Sequence, residues 1–143
     1  MSASHRGKAI DLGMCPCAGA TLGRLIQPAI MTILASGAMH GYRIVQRLAR
    51  TPMLGGGSPD PTGVYRMLRS MEKRGLVVSS WGLSDSGPAK RLYRLMPAGR
   101  RCLGRWVETL TSYRQAIGRL LSAARKAVVT RDARAAGKTR RRR

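Results

Sequence analysis

A chain of 143 residues with 43% apolar side chains is long enough for one domain with a modest core. Its 27 Lys and Arg against 6 Asp and Glu leave a formal net charge of +21. That balance asks for a polyanionic partner, nucleic acid first and an acidic membrane surface second. The apolar stretches are too short to span a bilayer, and the first residues lack the apolar run of a secretory signal. The chain therefore reads as intracellular, with its three cysteines as reduced thiols. The acids (Asp11, Asp60, Glu72, Asp85, Glu108, Asp132) and the histidines (His5, His40) stand in no catalytic or metal-binding spacing. The expectation is a protein that is not an enzyme and needs no cofactor or metal.

Residues 1–21 carry no periodicity and read as a flexible arm. Within it Cys15 and Cys17 flank one proline. Two thiols that close can hold a soft metal or be oxidised, yet they make only half a zinc site. Chance or packing is the preferred reading, and a thiol or metal sensor is the alternative. From Leu22 the pattern changes. Leu22, Leu25, Ile26, Ala29, Ile30, Ile33 and Leu34 fit a helix with one buried face. Pro28 breaks that pattern unless the helix starts near Gln27 and holds the proline in its first turn, which is the preferred version. After Gly37 a second helix is predicted over Tyr42 to Ala49, with Ile44, Val45 and Leu48 inward. His40, before it, reads as a buried, hydrogen-bonded histidine. Thr51 to Pro59, with three consecutive glycines and two prolines, reads as a loop.

Asp60 and Pro61 then suit the N-cap and first position of a third helix. Val64, Met67, Leu68 and Met71 form its apolar stripe. Thr62, Arg66, Arg69 and Lys73 lie on the other face, and Gly75 ends it. Tyr65 sits at the edge of the stripe. Leu76 to Trp81 and Arg91 to Leu95 read as two strands about a turn over residues 82–88. Three helices and a two-stranded wing make a mainly α winged helix-turn-helix fold over residues 22–96. Arg66 and Arg69 suit guanine edges or phosphates, and Lys73 suits phosphate. Lys90 and Arg91, just after the wing turn, suit phosphate or minor-groove contact. Trp81 and Trp106 are assigned to packing.

Pro97 opens a long helix, expected over residues 97–125 and about 40 Å long. Leu103, Trp106, Leu110, Tyr113, Ile117 and Leu120 recur at alternating steps of three and four, which reads as the seam of a dimerisation helix, the alternative being a seam that packs on its own domain. Residues 126–143 are strongly basic, finish on four arginines and read as a disordered tail that adds sequence-independent phosphate attraction.

Several stretches together resemble the PadR family of bacterial and archaeal transcriptional regulators. They are Leu34 to Tyr42 (LASGAMHGY), Thr62 to Leu68 (TGVYRML), Lys73 to Val77 (KRGLV) and Gly87 to Leu95 (GPAKRLYRL), with Ala98-Gly99 following. The match runs from about Leu22 to Leu110. Val64 and Met96-Pro97 depart from the usual family pattern, while the cysteine arm and the arginine tail lie outside it. The resemblance implies a dimeric winged-helix protein, usually a repressor, that binds a pseudo-palindromic operator in double-stranded DNA. Its location would then be the cytoplasm of a prokaryote, associated with the nucleoid, with no membrane partner. The resemblance also implies that Tyr65 lies at the DNA surface, against a half-buried core tyrosine from the stripe alone. It implies too that a small-molecule effector can bind beside the C-terminal helix, with Trp106 as a candidate contact. The other class that the charge allows is a nucleoid-type protein that coats DNA without sequence choice.

Overall fold

The computed structural model describes residues 25–51, 60–82 and 90–141, with side-chain surroundings through residue 137. The elements run α1 (Ile26–Ala35), β1 (Met39–His40), α2 (Gly41–Ala49), α3 (Pro61–Lys73), β2 (Val77–Gly82), β3 (Lys90–Leu95) and α4 (Pro97–Arg141). The chain divides into two compact units, Met1–Leu103 and Gly104–Arg143. The arm with Cys15 and Cys17, most of the loop after α2 and the wing turn fall outside the described residues.

The first unit is the winged helix-turn-helix. α1 begins at Ile26, so Pro28 sits in the first turn, where a missing N–H removes no intrahelical bond. α1 buries Ala29, Ile30, Met31 and Leu34, α2 buries Ile44 and Leu48, and α3 buries Val64, Leu68 and Met71. Val77, Tyr93 and Leu95 close the core from the sheet. Met31 was not part of the sequence stripe. It is buried because α1 packs against α2, α3 and β3 together and so needs a wider apolar arc than one stripe gives.

Local chemistry sets both ends of α3. The Asp60 carboxylate accepts from the Thr62 N–H at 3.3 Å, and Pro61 takes the first position. At the far end the Gly75 N–H donates to the Glu72 carbonyl and the Leu76 N–H to the Met71 carbonyl. This pairing is a Schellman cap, and it needs the left-handed backbone that Gly75 adopts at φ 75°.

The sheet has a third strand, at residues to which the sequence reading assigned no element. β1 pairs with β3 (Met39 opposite Tyr93, His40 opposite Leu92), giving the antiparallel order β1-β3-β2. β2 pairs with β3 from Val77 opposite Leu95 to Gly82 opposite Lys90. β2 is therefore an edge strand. Its Ser79 N–H and hydroxyl both donate to Glu72 Oε1, at 3.2 and 2.6 Å, so α3 supplies the acceptor that the edge lacks. Arg74 ties α3 to α1 through Gln27 Oε1 at 3.0 Å. At the root of α4, a side chain on the buried Gly99 would run into the Leu76 carbonyl and the Leu95 side chain, so the helix can start this close to the sheet only with glycine there.

α4 differs from expectation in length. It stays helical through Arg141, where a disordered tail was expected from residue 126. The reason is composition: residues 125–136 are mostly Ala, Arg, Lys and Val with no Gly or Pro, and Ala, Arg and Lys are strong helix formers.

Glu72→Ala is expected to cost about 1–3 kcal/mol, because it leaves a half-buried N–H and hydroxyl without their acceptor. Glu72→Gln retains a carbonyl acceptor and is expected to cost clearly less. Urea unfolding of the two variants beside the native chain measures the difference, and equal losses would show that the carboxylate charge matters rather than its acceptor geometry.

Candidate nucleic-acid interface

Once α3 commits Val64, Leu68 and Met71 to the core, the positions between them have to face out. Thr62, Tyr65, Arg66, Arg69 and Lys73 are all exposed. Tyr65 is 37% exposed, so it lies at the surface with one ring edge covered. That covering comes from α2. A side chain on Gly41 would meet the Tyr65 ring at 2.7 Å and the Tyr93 ring at 3.3 Å. The missing side chain of Gly41 is thus what lets the start of α2 lie against α3 and the sheet.

Gly41, Tyr42, Tyr65, Lys90 and Arg91 line one shallow cleft of about 160 Å³. This brings the wing cations and the edge of α3 to a common surface. The Lys90 ammonium lies 4.7 Å from the Tyr42 ring centre, and the Arg91 guanidinium 5.2 Å from the Trp81 ring. Both aromatic faces hold a cation without neutralising it, so each charge stays available to a phosphate.

Two sequence assignments change here. Trp81 is 66% exposed and does not pack in the core. It lies on the same face of β2 as Val77 and Ser79, opposite Arg91, but one rung past the point where the core ends. The alternation pattern gives the face correctly and says nothing about where the core stops. His40 is half-buried and stacks on Tyr42 at 5.9 Å, but its Nδ1 is shielded with no hydrogen-bond partner among the described residues. The expectation of a hydrogen-bonded histidine fails at that atom. Tyr42, which lines the cleft and lies under the Lys90 ammonium, is a residue the sequence reading left out. Its signal was the Gly41-Tyr42 pair, whose glycine marks a close approach and leaves the next side chain at the surface.

Among the seam residues, Leu103, Trp106 and Leu110 are half-buried, while Tyr113, Ile117 and Leu120 are exposed. Cys102, also half-buried, is the cysteine within the described residues, and those residues contain no group of three His, Cys, Asp or Glu able to hold a metal ion. No described helix is long and apolar enough to cross a membrane.

A search of the curated proteins returned no match. Among solved structures, the protein TA0346 from Thermoplasma acidophilum is 28% identical and has a TM-score of 0.63, covering 72% of this chain and 96% of that one. A PadR family transcription regulator from Clostridium difficile shares the fold at 20% identity and TM-score 0.60, over 68% of this chain and 98% of its own. Bacillus subtilis PadR, solved in complex with operator DNA, shares it at 21% identity and TM-score 0.53, over 59% of this chain and 47% of its own. The model of the transcriptional regulator PadR-like family matches residues 30–105, from the middle of α1 through the opening turns of α4. That span is more than half the chain and holds the helix-turn-helix, the wing and their cationic surface, so the chain belongs to the PadR-like family of transcriptional regulators, which are not enzymes.

Proposed function

We propose that the protein is a sequence-specific DNA-binding regulator that acts as a homodimer on a pseudo-palindromic operator and represses the genes it binds. The observation that carries the reading is the continuous exposed surface of α3 and the wing. Thr62, Arg66, Arg69 and Lys73 project from one face of a helix whose other face is core, and Tyr65 shares a cleft with Lys90 and Arg91. A helix of this kind fits the major groove, with the wing on the neighbouring backbone. In this reading Arg66 and Arg69 read base edges, Thr62, Tyr65 and Lys73 hold the backbone, and Lys90 and Arg91 grip phosphate beside the groove. The Bacillus subtilis protein of the same fold was solved on operator DNA, which supports the same class of partner here.

Arg66→Ala and Arg69→Ala are each expected to weaken operator binding by about 1–3 kcal/mol and to relax the preference for operator over random DNA. Genome-wide mapping of bound DNA supplies the operator, and fluorescence anisotropy measures both ratios. An unchanged preference in both variants would remove base reading from these residues, and broad genomic coverage would favour the coating protein.

The homodimer rests on α4. Tyr113, Ile117 and Leu120 are exposed, the last two at 63% and 70%, and Leu121 and Val128 continue the same apolar side. A small soluble chain rarely leaves such a run in water, and pairing with a second copy covers it. Two recognition helices would then meet half-sites about 34 Å apart. Ile117→Asp with Leu120→Asp puts charge into that seam at positions that bury little of the chain's own surface, so the monomer should still fold. Sedimentation is expected to show loss of the dimer, with operator affinity falling because each half binds alone. A native chain that sediments as a monomer at micromolar concentration, yet still holds its operator tightly, would refute the dimer.

A further inference from the structure

α4 carries a second feature that neither the seam nor the recognition surface uses. Within Pro97–Arg141 stand twelve Lys or Arg and only two acids, Glu108 and Asp132. Because the helix continues through the basic segment, these charges have fixed directions. At about 100° per residue, Arg105, Arg119, Lys126 and Arg134 fall within an arc of about 80°. All four are exposed. Glu108 is the one acid in that arc, and Asp132 lies off it. The four cations extend over about 43 Å of helix, with the last three spaced by roughly 10–12 Å. Arg105 lies about 21 Å before them. Spaced beyond the screening length of about 8 Å, the cations act as separate contacts, each able to meet its own phosphate along one duplex.

We propose that this stripe is a second DNA-binding surface, which holds the phosphate backbone of duplex DNA without reading sequence. The centre of the stripe lies about 130° around the helix from the centre of the seam. Covering the seam therefore leaves the stripe facing water. The same geometry argues against a bilayer. A membrane would take the apolar seam and hold the stripe above its surface, whereas a duplex beside the helix meets the cations directly. A line of charge along a rod matches a line of phosphates, and neutral polar residues in the arc, Ser112 and Thr130, add donors that suit phosphate oxygens. The stripe goes beyond the operator reading: it would give the regulator a grip on DNA outside the operator.

The test uses the full chain and a 30-base-pair duplex lacking the operator, titrated across about 50–200 mM salt. One variant removes the recognition and wing cations (Arg66→Ala, Arg69→Ala, Lys90→Ala, Arg91→Ala). A second removes the stripe (Arg105→Gln, Arg119→Gln, Lys126→Gln, Arg134→Gln). A third combines them. The first variant should lose operator preference yet still bind the duplex. The combined variant should bind it at least tenfold more weakly than the first. The slope of log affinity against log salt should flatten by about three to four, nearly one per lost phosphate contact. The stripe variant alone should keep its preference for operator over random duplex, and circular dichroism should show its helix intact, since Gln is a good helix former. The proposal is overturned if the first variant binds no duplex, or if adding the stripe substitutions changes neither affinity nor slope. It is overturned equally if those substitutions abolish binding to phosphatidylserine vesicles while duplex binding stays as it was. Failure of the operator reading shows elsewhere, as a first variant that keeps its operator preference.

Discussion

The fold hangs on how α3 divides its two faces. Val64, Leu68 and Met71 are fully buried, and together they fix the rotation of a 13-residue helix about its axis. Turn the helix by one residue and Arg66 or Arg69 would enter an apolar interior, at a cost no small core could bear. The hydrophobic stripe thus orients the cations as firmly as any direct contact to them would. Asp60 and Gly75 then set where the helix starts and stops, and Glu72 ties it to the edge of the wing.

Charge works in the opposite direction. A net +21 on 143 residues repels itself, and the described side chains of α4 contain only two acids to offset it. Stability given up to this repulsion returns when a polyanion binds, so folding and binding are linked through salt. The aromatic partners of Lys90 and Arg91 suit this arrangement. A carboxylate would hold these cations more strongly but would cancel their charge, whereas Tyr42 and Trp81 position them and leave it intact.

How much of this was legible in the sequence depended on whether the signal was local. α3 announces itself through Asp60-Pro61, a periodic stripe and Gly75, each tied to one backbone requirement, and it came out as expected. So did the start of α4 at Pro97 and the first-turn position of Pro28. β1 was not legible. Two residues cannot show a period of two, and Met39-His40 becomes a strand only because β3 lies beside it. The exposure of Trp81 failed for a related reason, since the end of the core is a property of the packed domain. The length of α4 was missed where two local signals disagreed, high charge against high helix propensity.

The pairing of β3 on both sides is confined to Leu92 and Tyr93. Beyond them, toward Arg91 and Lys90, only β2 remains alongside, so the wing is a two-stranded ribbon standing on a three-stranded base. Such ribbons twist more freely than wider sheets. The third strand joins at the rung where His40 meets Leu92, and the described ribbon has no second neighbour beyond it. Its two cations sit on the last described rungs, opposite Trp81 and Gly82, where a small twist at the base becomes a larger displacement of the charge. In the proposed function, that freedom would let the wing follow backbones whose groove widths vary with sequence while α3 keeps its orientation.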